Sequence, residues 1–213
     1  MSALPILYSF RRCPYAMRAR MGLLASGQQV ELREVVLRDK PAEMIAVSAK
    51  ATVPVLVLTD ERVIDESLDI IDWALGVDDP SGLMSETPQI QRMLIDQLDT
   101  DFKPHLDRYK YPNRYPDEPA ADHRQIAMEW ILEHLAPRLE KHQNLFGPET
   151  AFADIASFPF VRQYAHVDRD WFYSNAPEPV CSWLMRHVES ERFAAIMPKF
   201  KQWQSGDAGV LFP

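Results

Sequence analysis

The chain has 213 residues, 46% of them hydrophobic and 25% charged, a balance that suits one or two globular domains whose core needs neither disulfides nor metal. A formal net charge of −8 argues against general nucleic-acid binding, which calls for a basic face. Cys13 and Cys181 lie too far apart to read as a disulfide framework, no window approaches a membrane span, and no signal-peptide pattern is present, so a reducing cytoplasm is the expected setting.

Residues 4–9 predict a buried strand. The spacing of Met17, Met21, Leu24 and Ala25 predicts a helix over 14–27, with Gly27 as its stop. Pro14 suits the first helical position because its missing N–H would be unpaired there anyway. Cys13 therefore sits at a strand-to-helix turn, facing the first N–H groups and the positive end of the helix dipole, with Arg11, Arg12 and Arg18 close by. That setting favours thiolate, the nucleophilic form; a small apolar cysteine capping a helix is the blander alternative.

Residues 30–37 alternate as a second strand and 41–47 suit a short helix. The run Thr52-Val53-Pro54-Val55-Leu56-Val57-Leu58 predicts a strand opened by Pro54, because proline cannot donate to a ladder. A hairpin over 55–64 follows, then a helix over 68–75 introduced by Asp65-Glu66-Ser67. The order β-α-β, β-β-α implies a mixed sheet, and a cysteine at its first strand-to-helix turn suggests a thioredoxin-like domain over 1–76. Residues 77–86 read as a linker and 87–213 as an all-α domain. Helices are expected over 88–107, 120–142 with a kink at Ala136-Pro137, 152–166 buried nearly throughout and locally kinked at Pro159, 179–188 and 190–197. Residues 109–119 read as a loop or kinked helix end. Residues 200–213 read as an irregular tail whose Trp203, Val210, Leu211 and Phe212 pack on the body.

Four segments together resemble the cytosolic glutathione transferases of the cysteine-dependent, omega-like kind: Cys13-Pro14-Tyr15-Ala16, Thr52-Val53-Pro54-Val55-Leu56, Glu66-Ser67 and Phe152-Ala153-Asp154-Ile155-Ala156. The resemblance spans nearly the whole chain. It implies that Cys13 attacks glutathione mixed disulfides and that a cis Val53-Pro54 turn presents the Val53 backbone to the cysteinyl part of glutathione. It also implies that Glu66 and Ser67 hold the γ-glutamyl group, that Lys40 contacts the glycyl carboxylate, and that Tyr15 flanks the sulfur. The implied co-substrate is glutathione, the partner a disulfide or small-molecule acceptor, and the assembly a homodimer, with no metal, nucleic acid or membrane. Three positions depart from the family pattern. Ala16 stands where a dithiol cycle needs a second cysteine, Ala51 where glycine is usual, and Ala151 where a serine or threonine N-cap is usual. Thr150 is a candidate for a shifted cap.

The expected function is monothiol glutathione-dependent thiol transfer. A conjugating transferase acting on electrophiles and a non-catalytic interaction protein on the same fold stay open beside it. Ser9 is a candidate helper, whereas Tyr8 reads as core. Cys181, beside Trp183 and Leu184, reads as packing, and the six histidines lack metal-ligand spacing. Tyr109 and Trp171 are candidates for an acceptor pocket.

Overall fold

The structure is a computed structural model and describes residues 4–84 and 88–213. Residues 1–3 of the expected first domain, 85 and 86 of the linker and 87 of the helical domain lie outside the described residues. The chain divides into two compact units, Met1–Ser81 with Ser190–Pro213, and Gly82–Glu189.

In the first unit one mixed sheet has the order β4-β3-β1-β2-β5. Its strands are β1 (Ile6–Ser9), β2 (Val30–Glu34), β3 (Val55–Val57), β4 (Val63–Ile64) and β5 (Val210–Phe212). β1 and β2 run parallel through helix α1 (Pro14–Ser26), while β1–β3, β3–β4 and β2–β5 are antiparallel. Register places Leu7 opposite both Leu32 and Leu56, and all three are buried. Burying each such side chain contributes about 1.5–3 kcal/mol. Helix α2 (Ala42–Val47) follows β2, and α3 (Ser67–Val77) packs on α1. Gly22 permits that packing, since a Cβ there would lie 2.6 Å from Ile71 Cγ1.

Several expectations change in this unit. β2 stops at Glu34 rather than at 37, because Asp39 N–H turns back onto the Val36 carbonyl at 2.8 Å. The tail is not irregular to its end: β5 joins the sheet beside β2, and residues 190–213 belong to the first unit rather than to a helical domain running to the C-terminus. Trp203 and Phe212 are buried as expected, but Val210 and Leu211 lie on an edge strand and are exposed.

The second unit is helical. The expected helix over 88–107 is α4 (Pro88–Gln97), a π-helical turn (Leu98–Phe102) and α5 (Lys103–Lys110) in succession. Pro104 lacks the N–H an α-helix needs and would crowd the carbonyl four residues earlier, and the wide turn accommodates it. α5 carries Tyr109 into helix, and the remaining loop holds a short 3-10 turn (Pro112–Arg114). α6 (Ala120–His134) and α7 (Ala136–Leu139) break at Leu135, just before Pro137. α8 (Phe152–Ala165) is buried almost all round. α9 (Arg169–Asn175) was not anticipated; its signal is the N-cap Asp168, which accepts the Trp171 N–H at 3.0 Å. α10 (Glu178–Val188) ends this unit, and α11 (Glu191–Ile196) returns to the first, against α1.

Candidate active site

Cys13 is the N-cap of α1, in extended conformation, with Pro14 as the first helical residue. Its N–H donates to the Phe10 carbonyl at 3.0 Å, and its carbonyl accepts the Met17 N–H at 2.9 Å. The half-buried thiol lies 3.6 Å from the Val53 carbonyl oxygen, to which it donates. The Val53–Pro54 peptide is cis. The fold thus brings together two segments 40 residues apart. Ala51, where glycine is usual, adopts a left-handed conformation at φ 50°.

Glu66 is the N-cap of α3, and Ser67 opens the helix. Ser67 is buried, and its hydroxyl accepts from the fully buried Arg18 guanidinium at 3.5 Å. Arg18 also lies over the half-buried Tyr15 ring, 5.5 Å from its centroid. One arginine therefore spans from the Cys13 turn to the start of α3. Lys50, which the sequence reading did not single out, donates to Glu66 at 2.5 Å and to Asp65 at 3.1 Å. Its ammonium holds the Asp65 carboxyl below the usual carboxylate range, and both carboxylates push the Lys50 ammonium up. Lys40 is half-buried just ahead of α2 and has no hydrogen-bond or ion-pair partner among the described residues.

A second buried pair lies at the same turn. Arg20 donates through one terminal nitrogen to Glu34 Oε2 at 2.5 Å, through Nε to the Ser9 hydroxyl at 2.8 Å, and through its other terminal nitrogen to the Ile196 carbonyl at 3.1 Å. Glu34 Oε1 accepts the backbone N–H of Arg11 at 2.8 Å. Burial pushes the Arg20 guanidinium down, and Glu34 pulls it back up. Ser9 is fully buried, with its hydroxyl committed to Arg20. Tyr8 is core, as expected, with its ring edge-on to Trp203.

In the helical unit Tyr109 and Trp171 share a neighbour, with ring centroids 5.5 and 6.5 Å from that of Tyr164. The Tyr164 hydroxyl donates to the Arg124 carbonyl at 2.6 Å, and the Arg124 guanidinium stacks 4.2 Å from the Trp171 ring centre. Burial pushes both phenols, Tyr109 and Tyr164, up. The Cys181 thiol is half-buried beside the Ala176 carbonyl, and burial followed by Glu178 pushes it up. The N-cap of α8 stays at Ala151 and does not shift to Thr150. No group of three or more His, Cys, Asp or Glu among the described residues could hold a metal ion, and no helix among them is long and apolar enough to cross a membrane.

Residues 7–81 match the family model for the glutathione S-transferase N-terminal domain. No curated protein matches the sequence. Among solved structures, the chain is similar to a glutathione transferase family member from Pseudomonas fluorescens pf-5 with two glutathione bound. The TM-score is 0.78 at 17% identity, covering 92% of this chain and 93% of that one. A Tau class glutathione S-transferase from mango, Mangifera indica, aligns with a TM-score of 0.76 at 20% identity over 93% and 94% of the two chains. Glutathione transferase Omega 3C from Trametes versicolor aligns with a TM-score of 0.71 at 17% identity over 89% and 82%. These neighbours belong to several classes and single out none. The chain has the glutathione S-transferase fold, a thioredoxin-like unit followed by a helical one, and its residues 7–81 match that family's N-terminal domain.

Proposed function

We propose that this chain is a glutathione-dependent thiol transferase that works through Cys13 in a monothiol cycle. The carrying observation is the Cys13 thiol at the N-terminus of α1, 3.6 Å from the Val53 carbonyl. The positive end of the α1 dipole favours a negative sulfur there. The thiolate attacks the glutathionyl sulfur of a mixed disulfide. The old S–S bond breaks, its electron pair leaves on the acceptor sulfur, and that sulfur takes a proton from water. A second glutathione, as thiolate, then attacks the Cys13–glutathione disulfide, releasing glutathione disulfide and restoring Cys13. Ala16 removes the nearby resolving thiol of a dithiol route.

In this reading the Val53 backbone pairs with the cysteinyl part of glutathione, and Tyr15 flanks its sulfur. Ser67 and the first N–H groups of α3 receive the γ-glutamyl carboxylate. Glu66 receives the ammonium, displacing Lys50 from an exposed ion pair of the kind that contributes little. Lys40 meets the glycyl carboxylate, and Tyr109 and Trp171 supply apolar surface to the acceptor. The two glutathione molecules bound to the Pseudomonas fluorescens relative support glutathione as co-substrate. A cytoplasmic homodimer belongs to the same proposal; light scattering at twice 24.5 kDa is the expected result.

Incubation with glutathione disulfide should add one glutathione to Cys13 by mass spectrometry. The adduct should be reversible by thiol and absent in Cys13→Ala, with Cys181 unmodified as internal control. Cys13→Ser should abolish thiol transfer while conjugation of electrophiles survives or rises. No adduct and no glutathione binding would sink the enzyme reading, and loss of conjugation with thiol transfer intact would sink the assignment to Cys13.

A further inference from the structure

We propose that the buried Arg20–Glu34 pair is a positioning device for Cys13, setting the sulfur for attack on glutathione disulfides; the inference rests on the thiol-transfer reading above. Two of its contacts are to the chain around the nucleophile, while the Ile196 carbonyl and the Phe200 ring, 6.0 Å from the guanidinium, hold Arg20 from the C-terminal segment. Glu34 holds the Arg11 N–H at 2.8 Å, two residues before Cys13. Arg20 holds the Ser9 hydroxyl at 2.8 Å, where β1 ends and the turn begins. Its third contact, to the Ile196 carbonyl at 3.1 Å, fixes the direction of the guanidinium fork against α11. The Ser9 carbonyl accepts the Val35 N–H at 2.7 Å, and the Cys13 N–H closes onto Phe10 at 3.0 Å. The turn 9–13 is therefore pinned by side chains from α1 and β2 in addition to its own backbone bond.

Stability alone does not account for this pair. Taking two charges out of water is costly, and a buried ion pair can often be replaced by apolar residues of similar volume without loss of stability. Arg20 has no exposed surface, and Glu34 is 8% exposed. What an apolar pair could not supply is an acceptor for Arg11 N–H and a donor for Ser9. Thiol–disulfide exchange needs three sulfurs in line, so a small shift of the turn costs rate even when the thiolate itself is intact.

The test compares two reactions of Cys13 in the full chain. Iodoacetamide alkylates the thiolate with no recognised handle. Glutathione disulfide reacts by the exchange written above, breaking its S–S bond and releasing one glutathione, and needs a positioned sulfur. In Glu34→Ala the rate with glutathione disulfide should fall about tenfold or more, while alkylation stays within about twofold of wild type. Glu34→Gln, which keeps an oxygen for Arg11 N–H, should recover part of the loss. The double variant Arg20→Met with Glu34→Leu should remain folded by circular dichroism yet still lose the preference for glutathione disulfide. Parallel loss of both rates, an unchanged ratio in Glu34→Ala, or a ratio restored in the apolar double variant would each overturn the proposal. A wild-type chain with no preference for glutathione disulfide would overturn the thiol-transfer reading itself, and this inference with it, before any variant is made.

Discussion

Replacing Asp154 should be the most damaging single change to the helical unit. Its carboxylate is fully buried at the start of α8 and gathers three N–H donors. Oδ2 accepts from Ala151 at 2.9 Å, while Oδ1 accepts from Leu145 at 2.9 Å and from Trp183 Nε1 at 2.8 Å. A buried donor left without a partner costs about 1–3 kcal/mol, so three donors sum to roughly 3–9 kcal/mol. Ala151 keeps 8% of its surface exposed, and water entering the vacated space satisfies part of the loss. Asp154→Ala should therefore cost about 3–5 kcal/mol, a large share of a total stability of about 5–15 kcal/mol. Asp154→Asn keeps one oxygen for Leu145 and Trp183 and turns an NH2 group against the Ala151 N–H, so about 1–3 kcal/mol is expected. Urea unfolding followed by tryptophan fluorescence and by circular dichroism gives both values; agreement of the probes establishes whether the two units melt together. Asp154→Ala within 1 kcal/mol of wild type at unchanged slope, or Asn as costly as Ala, would refute the reasoning.

Three further outcomes follow from packing, backbone and charge. Gly22→Ala gains about 1 kcal/mol of helix propensity but drives a Cβ to 2.6 Å from Ile71 Cγ1. A net loss of about 1–2 kcal/mol is expected, and a double-mutant cycle with Ile71→Ala should recover part of it; strict additivity would contradict the clash. Ala51→Gly should stabilise by about 0.5–1 kcal/mol, since left-handed strain of about 1–2 kcal/mol exceeds the entropy glycine adds to the unfolded chain; a lower urea midpoint would count against it. His105 Nδ1 lies 2.7 Å from His123 Nδ1, so one ring must accept and stay neutral, and burial followed by the charge on His123 holds His105 below its ordinary 6.5. Its contribution to stability is then complete above the unfolded value and is lost as pH falls through about 6.5 toward the lower folded value. Urea midpoints across this window should decline toward acid, and less steeply in His105→Gln; a wild-type midpoint that rises toward acid would contradict the sign.

The sheet was legible because its signals are local. Alternation marked β2, the run after Pro54 marked β3, and a cysteine-proline pair marked the entry to α1. β5 escaped because it is three residues long on an edge, with Val210 and Leu211 turned to solvent, so it carries no alternation to read. The π-turn escaped because the apolar spacing of Leu94, Leu98 and Phe102 runs through it unbroken, and only Pro104 betrays it. Lys50 could be seen but not assigned, since its partners Asp65 and Glu66 lie 15 and 16 residues away on the next helix start.

The Arg20–Glu34 pair shows why charge is the hardest part of a site to read. Among 23 basic and 31 acidic residues nothing in composition marks these two. Their positions do. Arg20 follows Met17 by three and precedes Leu24 by four, on the apolar stripe that also holds Met21. Glu34 follows Val30 and Leu32 at period two, on the inward face of β2. Each is a charge on a face that its own element buries, and a buried charge must find its opposite or be neutralised. Two such violations on consecutive elements, one acidic and one basic, therefore predict each other as partners. The turn that joins β1 to α1 lies where they meet, and that turn carries Cys13.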